Sequence, residues 1–255
     1  MRPFFAPCVV RRIGGAEGLL STPSSFDYHR FRSSSNVFRL TPYFALRVLI
    51  PASALIFLLG LVLSGAIFFR GKAFDAKAAI ISDLESPEDN PHGYGPSAAA
   101  TALSAILLAP AVMIFHRRLR NERPWLARVG TSMFTLGLAG AVAIGILAPF
   151  TRGYSPLHIQ LANAAFIGIS GGTWSDLMAA RAAHALIWFQ GAVFLFLIYL
   201  CFGPDFFNND RLLTSLAFWE WLLCADCGIA LWALARAVVR LDSAKSIAHR
   251  PRLES

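Results

Sequence analysis

PLHIQLANAAFIGISGGTW, residues 156–174, is the stretch on which the fold turns. It approaches the roughly 20 residues that a bilayer core requires, yet Gln160, Asn163, Ser170, Gly171 and Gly172 lower its hydropathy. Five stronger apolar runs flank it, at residues 48–69, 97–115 and 128–150 before it and at 183–203 and 213–236 after it. If residues 156–174 cross a membrane, the chain has six spans; if they do not, it has five. Over all 255 residues the chain is 56% hydrophobic and 15% charged, with a mean hydropathy of +0.54. That is too much apolar surface for an ordinary water-soluble domain, so an all-α integral membrane protein is expected.

The arginines arbitrate between five spans and six. The segment before the first run ends with Arg39 and Arg47, the second connection carries Arg117, Arg118, Arg120 and Arg123, and Arg240, Lys245, Arg250 and Arg252 follow the last run. Basic connections stay cytoplasmic, and all three lie on one side only when the number of crossings is even. The expected architecture is therefore a polytopic six-transmembrane-helix bundle with both termini cytoplasmic. Residues 70–96, with Asp75, Asp83, Glu85, Glu88 and Asp89 against Arg70, Lys72 and Lys77, form its long outer loop. The other outer connections are short, which leaves one membrane domain over residues 44–240, a basic tail over 1–43 and a cytoplasmic tail over 241–255.

The formal charge is +8, but the basic residues sit between apolar runs and form no stripe, so no nucleic-acid partner is expected. Residues 1–43 hold Arg2, Arg11, Arg12, Arg30, Arg32 and Arg39 and the run Ser33, Ser34, Ser35, a disordered basic composition. Pro7 interrupts the early apolar run, which excludes a secretory signal. A cytoplasmic tail, a transit peptide and an upstream start site all remain open for it. Cys224 and Cys227 have CxxC spacing, but inside an apolar run they read as small apolar filling. Gly137, Ala141 and Gly145, and Gly168 with Gly172, make small-residue ridges that let helices approach closely. Pro51, Pro110 and Pro149 are expected to bend or end their helices. There is no internal repeat, which weakens a secondary-transporter reading.

Ionisable groups in or against a bilayer are costly and mark function by default. In the six-span arrangement His158 starts the fourth span about half a turn below the outer surface, and Glu220 lies roughly 10 to 12 Å below it at the start of the sixth. Asp83 and His92 belong to the outer loop, so all four can reach one outward-facing pocket if the fourth and sixth spans are neighbours. His158 is then a natural partner for the Glu220 carboxylate, as an acid–base pair or as a structural hydrogen bond. Ser82 would be a nucleophile only if an imidazole came within reach. His92, His158 and Asp83 are admissible zinc ligands, but no closely spaced ligand pair exists, so no metal or other cofactor is expected. Asp226 lies deeper, near the bilayer middle, and is expected to bond to backbone or Asn163. His184, at the cytoplasmic side, stays apart from the cluster, and Trp219 and Trp221 fit an interfacial aromatic belt.

Three short segments carry a family resemblance. Ile81-Ser82-Asp83-Leu84-Glu85-Ser86-Pro87-Glu88-Asp89-Asn90-Pro91 resembles the Ile-Ser segment after the first span of a broad six-helix membrane superfamily. That superfamily includes the damage-regulated autophagy modulators and the Golgi proteins of glycosylphosphatidylinositol-anchor lipid remodelling. His158 to Phe166 is similar to its HxxxAxxxF helix, and Phe218-Trp219-Glu220-Trp221 to its glutamate–aromatic pair. Asp83 and the acidic run after it fit bacterial relatives of unknown function better. The resemblance implies a protein that handles, senses or remodels lipid, with Ser82, Asp83, His158 and Glu220 as shared positions, catalytic or headgroup-binding. Membrane lipid is the expected partner and the bacterial plasma membrane the expected location, or an organelle membrane if the tail is a transit peptide. A non-enzymatic sensor or scaffold is the alternative, and a small-solute or proton-coupled transporter through Glu220 and Asp226 the third reading.

Overall fold

The structure is a computed structural model, described for residues 41–71, 73, 75, 80–150, 155–202, 213 and 215–248. Residues 1–40 of the basic tail, and the alternatives for it, lie outside the described residues, while Thr41, Pro42 and Tyr43 open the first helix. Helix α1, Pro42–Phe68, starts on Thr41, whose hydroxyl accepts the Phe44 N–H at 3.2 Å, with Pro42 at the first helical position. A wide turn at Ala45–Leu49 then precedes Pro51, where a backbone donor is missing. The short helix α2, Ile81–Glu85, follows, then α3, Tyr94–Leu119, and α4, Pro124–Leu147, which Pro149 ends through a tight turn at Ala148–Phe150. Pro110 is accommodated inside α3. Helix α5 is Pro156–Ala179, capped by the Ser155 hydroxyl; α6 is His184–Phe202; α7 is Leu216–Ala248. At 33 residues α7 is about 50 Å long and continues past residue 240, the expected end of the membrane domain.

The long helices run alternately up and down. Ser64 near the end of α1 is bonded to Ser97 near the start of α3, through its hydroxyl and the Ser97 N–H at 2.8 Å. At the other end of α3, Arg118 pairs with Asp242 of α7 at 3.1 Å. The basic connection after α3 and the last turns of α7 therefore share one end of the bundle, as the arginine pattern requires. Helix α5 lies antiparallel against α4: Gly130 faces Asp176, Gly137 faces Gly168 and Ile169, and Gly140 faces Leu161 and Ala165. A Cβ on Gly168 would stand 2.5 Å from the Gly137 Cα, so this seam exists only because both are glycine. Gly145, grouped with Gly137 by spacing, instead faces Ala98 and Ala102 of α3. A left-handed φ of 52° at Arg181 closes α5, and the Ala182 N–H returns to the Leu177 carbonyl at 3.1 Å.

Among the described residues five helices are long and apolar enough to cross a membrane: α1, α3, α4, α6 and α7. Helix α5 is equally long but falls short in hydropathy, for a reason visible in its surroundings. From Leu161 to Ala180 none of its residues is exposed. Gln160 is exposed, but Asn163 and Ser170 face protein: Cys201 of α6 donates to Asn163 at 3.2 Å, and Gln190 of α6 donates to Ser170 at 3.3 Å. Leu55, Leu59, Val62 and Leu63 of α1 point outward instead, and an outward face needs apolar side chains in a bilayer.

Candidate ligand cavity

The site begins with α2, a helix of five residues too short to stand alone. Ile80 enters it extended and offers no side-chain cap, so the first N–H groups need a partner from elsewhere. Glu220, in the second turn of α7, supplies it. The Ile81 N–H donates to Oε2 at 2.6 Å and the Ser82 N–H to the same oxygen at 3.3 Å. The Ser82 hydroxyl donates to Oε1 at 2.6 Å. At the other end of α2, the Leu84 carbonyl accepts from the Ser97 hydroxyl at 2.7 Å and from the Asn90 amide at 3.3 Å, while that amide also reaches the Ser64 carbonyl. Leu61, Ile81 and Leu84 pack together with Phe57 and Trp221 around them. Helix α2 is thus tied to α1, α3 and α7 and covers one end of the bundle.

Beneath α2 lies a cavity of about 490 Å³, lined by Ser82, Glu85, Thr101, His158 and Glu220 at that end and by Leu108, Leu138, Ile169 and Leu231 beyond. Ala54 and Leu58 of α1 and Ala225, Gly228 and Ile229 of α7 line it while also being exposed, so it opens sideways between these two helices. A smaller cavity of about 130 Å³, lined by Asn163, Cys201 and Trp219, shares Ser82, His158 and Glu220 with the first. These three residues stand at the partition, and the smaller space has room for a handful of waters.

Glu85 is the acidic residue of the cavity that spacing did not single out. It is 5% exposed, and its Oε1 accepts the Thr101 hydroxyl. Burial pushes its carboxyl from the ordinary 4.5 to about 7; the nearby Glu220 charge adds to this, and the Thr101 hydrogen bond opposes it. Nothing in the acidic run Asp83, Glu85, Glu88, Asp89 tells which member turns inward. Only α2 and the Ser86-centred turn after it, whose hydroxyl accepts the N–H groups of Glu88 and Asp89 at 3.2 and 3.3 Å, settle it.

Of the expected residues, Ser82, His158 and Glu220 come together. Asp83 is buried on α2 but lines neither cavity, and His92 is exposed and lines neither. The expected His158–Glu220 hydrogen bond is not formed, because the carboxylate is taken by Ser82 and the α2 backbone. The His158 ring, in the buried first turn of α5, makes no hydrogen bond among the described residues. Asp226 bonds neither to backbone nor to Asn163: the Gln190 amide donates to it at 3.0 Å. His184 is exposed at the start of α6, apart from the cluster. Cys224 and Cys227 are free thiols that line the large cavity, and Cys224 also packs as apolar filling against the Leu61, Ile81 and Leu84 cluster. Asp176, which composition gave no reason to notice, is fully buried on α5 with neither carboxyl oxygen hydrogen-bonded. Among the described residues no three His, Cys, Asp or Glu side chains are grouped to hold a metal.

The chain matches no protein-family model, no curated protein and no solved structure. What can be said of its function rests on its own residues.

Proposed function

We propose that this integral membrane protein binds an amphiphilic membrane lipid, with the headgroup at Ser82, Glu85, His158 and Glu220 and the chain along the apolar length of the cavity. The observation that carries this reading is the sideways mouth between α1 and α7, a route from the bilayer that a water-borne ligand does not need. The volume is in the range of small-ligand sites, whose walls are mostly apolar with a few polar groups to orient the ligand. In this reading α5 is the sixth crossing, which its full-length antiparallel packing on α4 supports, and the end bearing Arg117, Arg118 and Arg120 is cytoplasmic, as are both termini. The resemblance of residues 81–91, 158–166 and 218–221 to the six-helix lipid-handling superfamily points the same way, with a bacterial plasma membrane as its setting.

Binding is better supported than acyl transfer. The Ser82 hydroxyl donates to Glu220 and not to an imidazole, and that carboxylate is at the same time engaged in holding the α2 backbone. A transport path from Glu220 to Asp226 is not supported either, since Asp226 lines neither cavity. A scaffold reading has one specific observation in its favour, the three hydrogen bonds by which Glu220 holds α2.

The test blocks the mouth. A Cβ on Gly228 meets nothing within 4 Å, so Gly228→Phe starts from open space in the cavity lining, and Ala54→Trp narrows the opening from α1. Binding of a fluorescent-chain lipid to the purified protein should fall in both variants while thermal stability is kept. Unchanged binding in two folded variants would sink the lipid reading and leave the scaffold.

A further inference from the structure

The charge of the cavity selects among lipid headgroups. Its lining includes two carboxylates, Glu85 and Glu220, and neither lysine nor arginine. Glu220 is satisfied by α2, but Glu85 uses Oε1 alone, toward Thr101, and among the described residues no donor is bonded to its Oε2. Two acids facing one apolar space repel each other's charge, and no lysine or arginine of the lining offsets them; the His158 imidazole is the basic group in the same lining. A ligand that brings the missing positive charge gains electrostatic energy that water would otherwise screen, and one that brings a bare anion loses it. The rings of Phe57, Phe166 and Trp221 in the same lining are suitable faces for an alkylammonium group.

We propose that the cavity is selective for a cationic nitrogen, a primary amine or a quaternary ammonium, seated between Glu85 and Glu220. This rests on the amphiphile-binding reading above. The same chemistry occurs in two sources, an amine- or choline-bearing lipid headgroup and a free organic amine.

Three probes with one fluorescent alkyl chain, ending in trimethylammonium, hydroxyl or sulfate, separate the cases when titrated into the purified full-length protein in neutral detergent. The trimethylammonium probe should bind about tenfold or more tighter than the hydroxyl probe, with sulfate weakest. Glu85→Gln should abolish the preference, so that the ammonium and hydroxyl probes bind the variant equally. Competition with tetramethylammonium assigns the source: displacement of the ammonium probe at millimolar concentration marks a free amine as sufficient, and no displacement marks the lipid headgroup. Equal binding of all three probes to the unmodified protein, blocked by Ala54→Trp, overturns the cation selectivity and keeps the amphiphile site. Failure of every probe to bind, or binding indifferent to Ala54→Trp, overturns both. The comparison on the unmodified protein decides the matter even if a variant does not fold.

Discussion

Replacing Glu85 with glutamine should flatten part of the protein's pH dependence. The carboxyl is 5% exposed and its pKa stands at about 7 instead of 4.5, first from burial and then from the Glu220 charge, against the Thr101 hydrogen bond. A folded-state pKa above the unfolded one means that the folded protein holds its proton more tightly. The stabilisation is fully present below about pH 4.5 and is lost as pH rises through about 7. At about 1.4 kcal/mol per tenfold, the loss across that window is about 3 kcal/mol as an upper figure. Glu85→Gln retains an acceptor for Thr101 and cannot ionise. The thermal midpoint of the unmodified protein in detergent should therefore fall between about pH 4.5 and 7 more steeply than that of the variant, and the two curves should run parallel again above about pH 7. Parallel curves, offset by a constant amount at every pH, would refute the assignment of a buried titrating carboxyl to Glu85.

Three further outcomes are expected. Gly168→Leu forces α4 and α5 apart at a seam where even a Cβ would sit 2.5 Å from the Gly137 Cα, and should abolish a monodisperse peak on size exclusion; Gly95→Ala, with nothing within 4 Å, should not. Asp176→Asn removes an ionisable group that is buried without a hydrogen bond, so the thermal midpoint should hold or rise, and a loss beyond about 1 kcal/mol would show that the carboxyl itself is used. A cysteine replacing the exposed Glu88 should be labelled by a membrane-impermeant reagent from outside the cell; labelling from the cytoplasmic side alone would reverse the orientation.

The apolar runs announce the long helices because bilayer-facing surfaces leave a compositional trace in every window. That trace fades in α5, whose polar Asn163 and Ser170 are sheltered by α6, and within the sequence only the parity of the arginine-bearing connections argues for its crossing. His158 and Glu220 were legible as costly groups near one surface, and Ser82 as a neighbour of the same loop. Their pairing was not legible. Glu220 binds the backbone donors of α2, and any residue exposes a backbone N–H, so no side-chain pattern could reveal it. Glu85 and Asp176 escaped for a related reason: the one needs the register of a five-residue helix and the other the glycine seam opposite it, and both depend on tertiary placement.

The glycine seam between α4 and α5 also bears on the order in which the chain is made. Helix α5 carries Asn163, Ser170 and Asp176, and two of these bond, among the described residues, to α6, which the ribosome has not yet delivered when α5 emerges. Helix α4 is already present, with Gly130, Gly137 and Gly140 turned to receive it. The first refuge for the least apolar of the long helices is therefore the helix synthesised just before it. The two form a hairpin that can mature as a unit, onto which α6 and then α7 close during biogenesis.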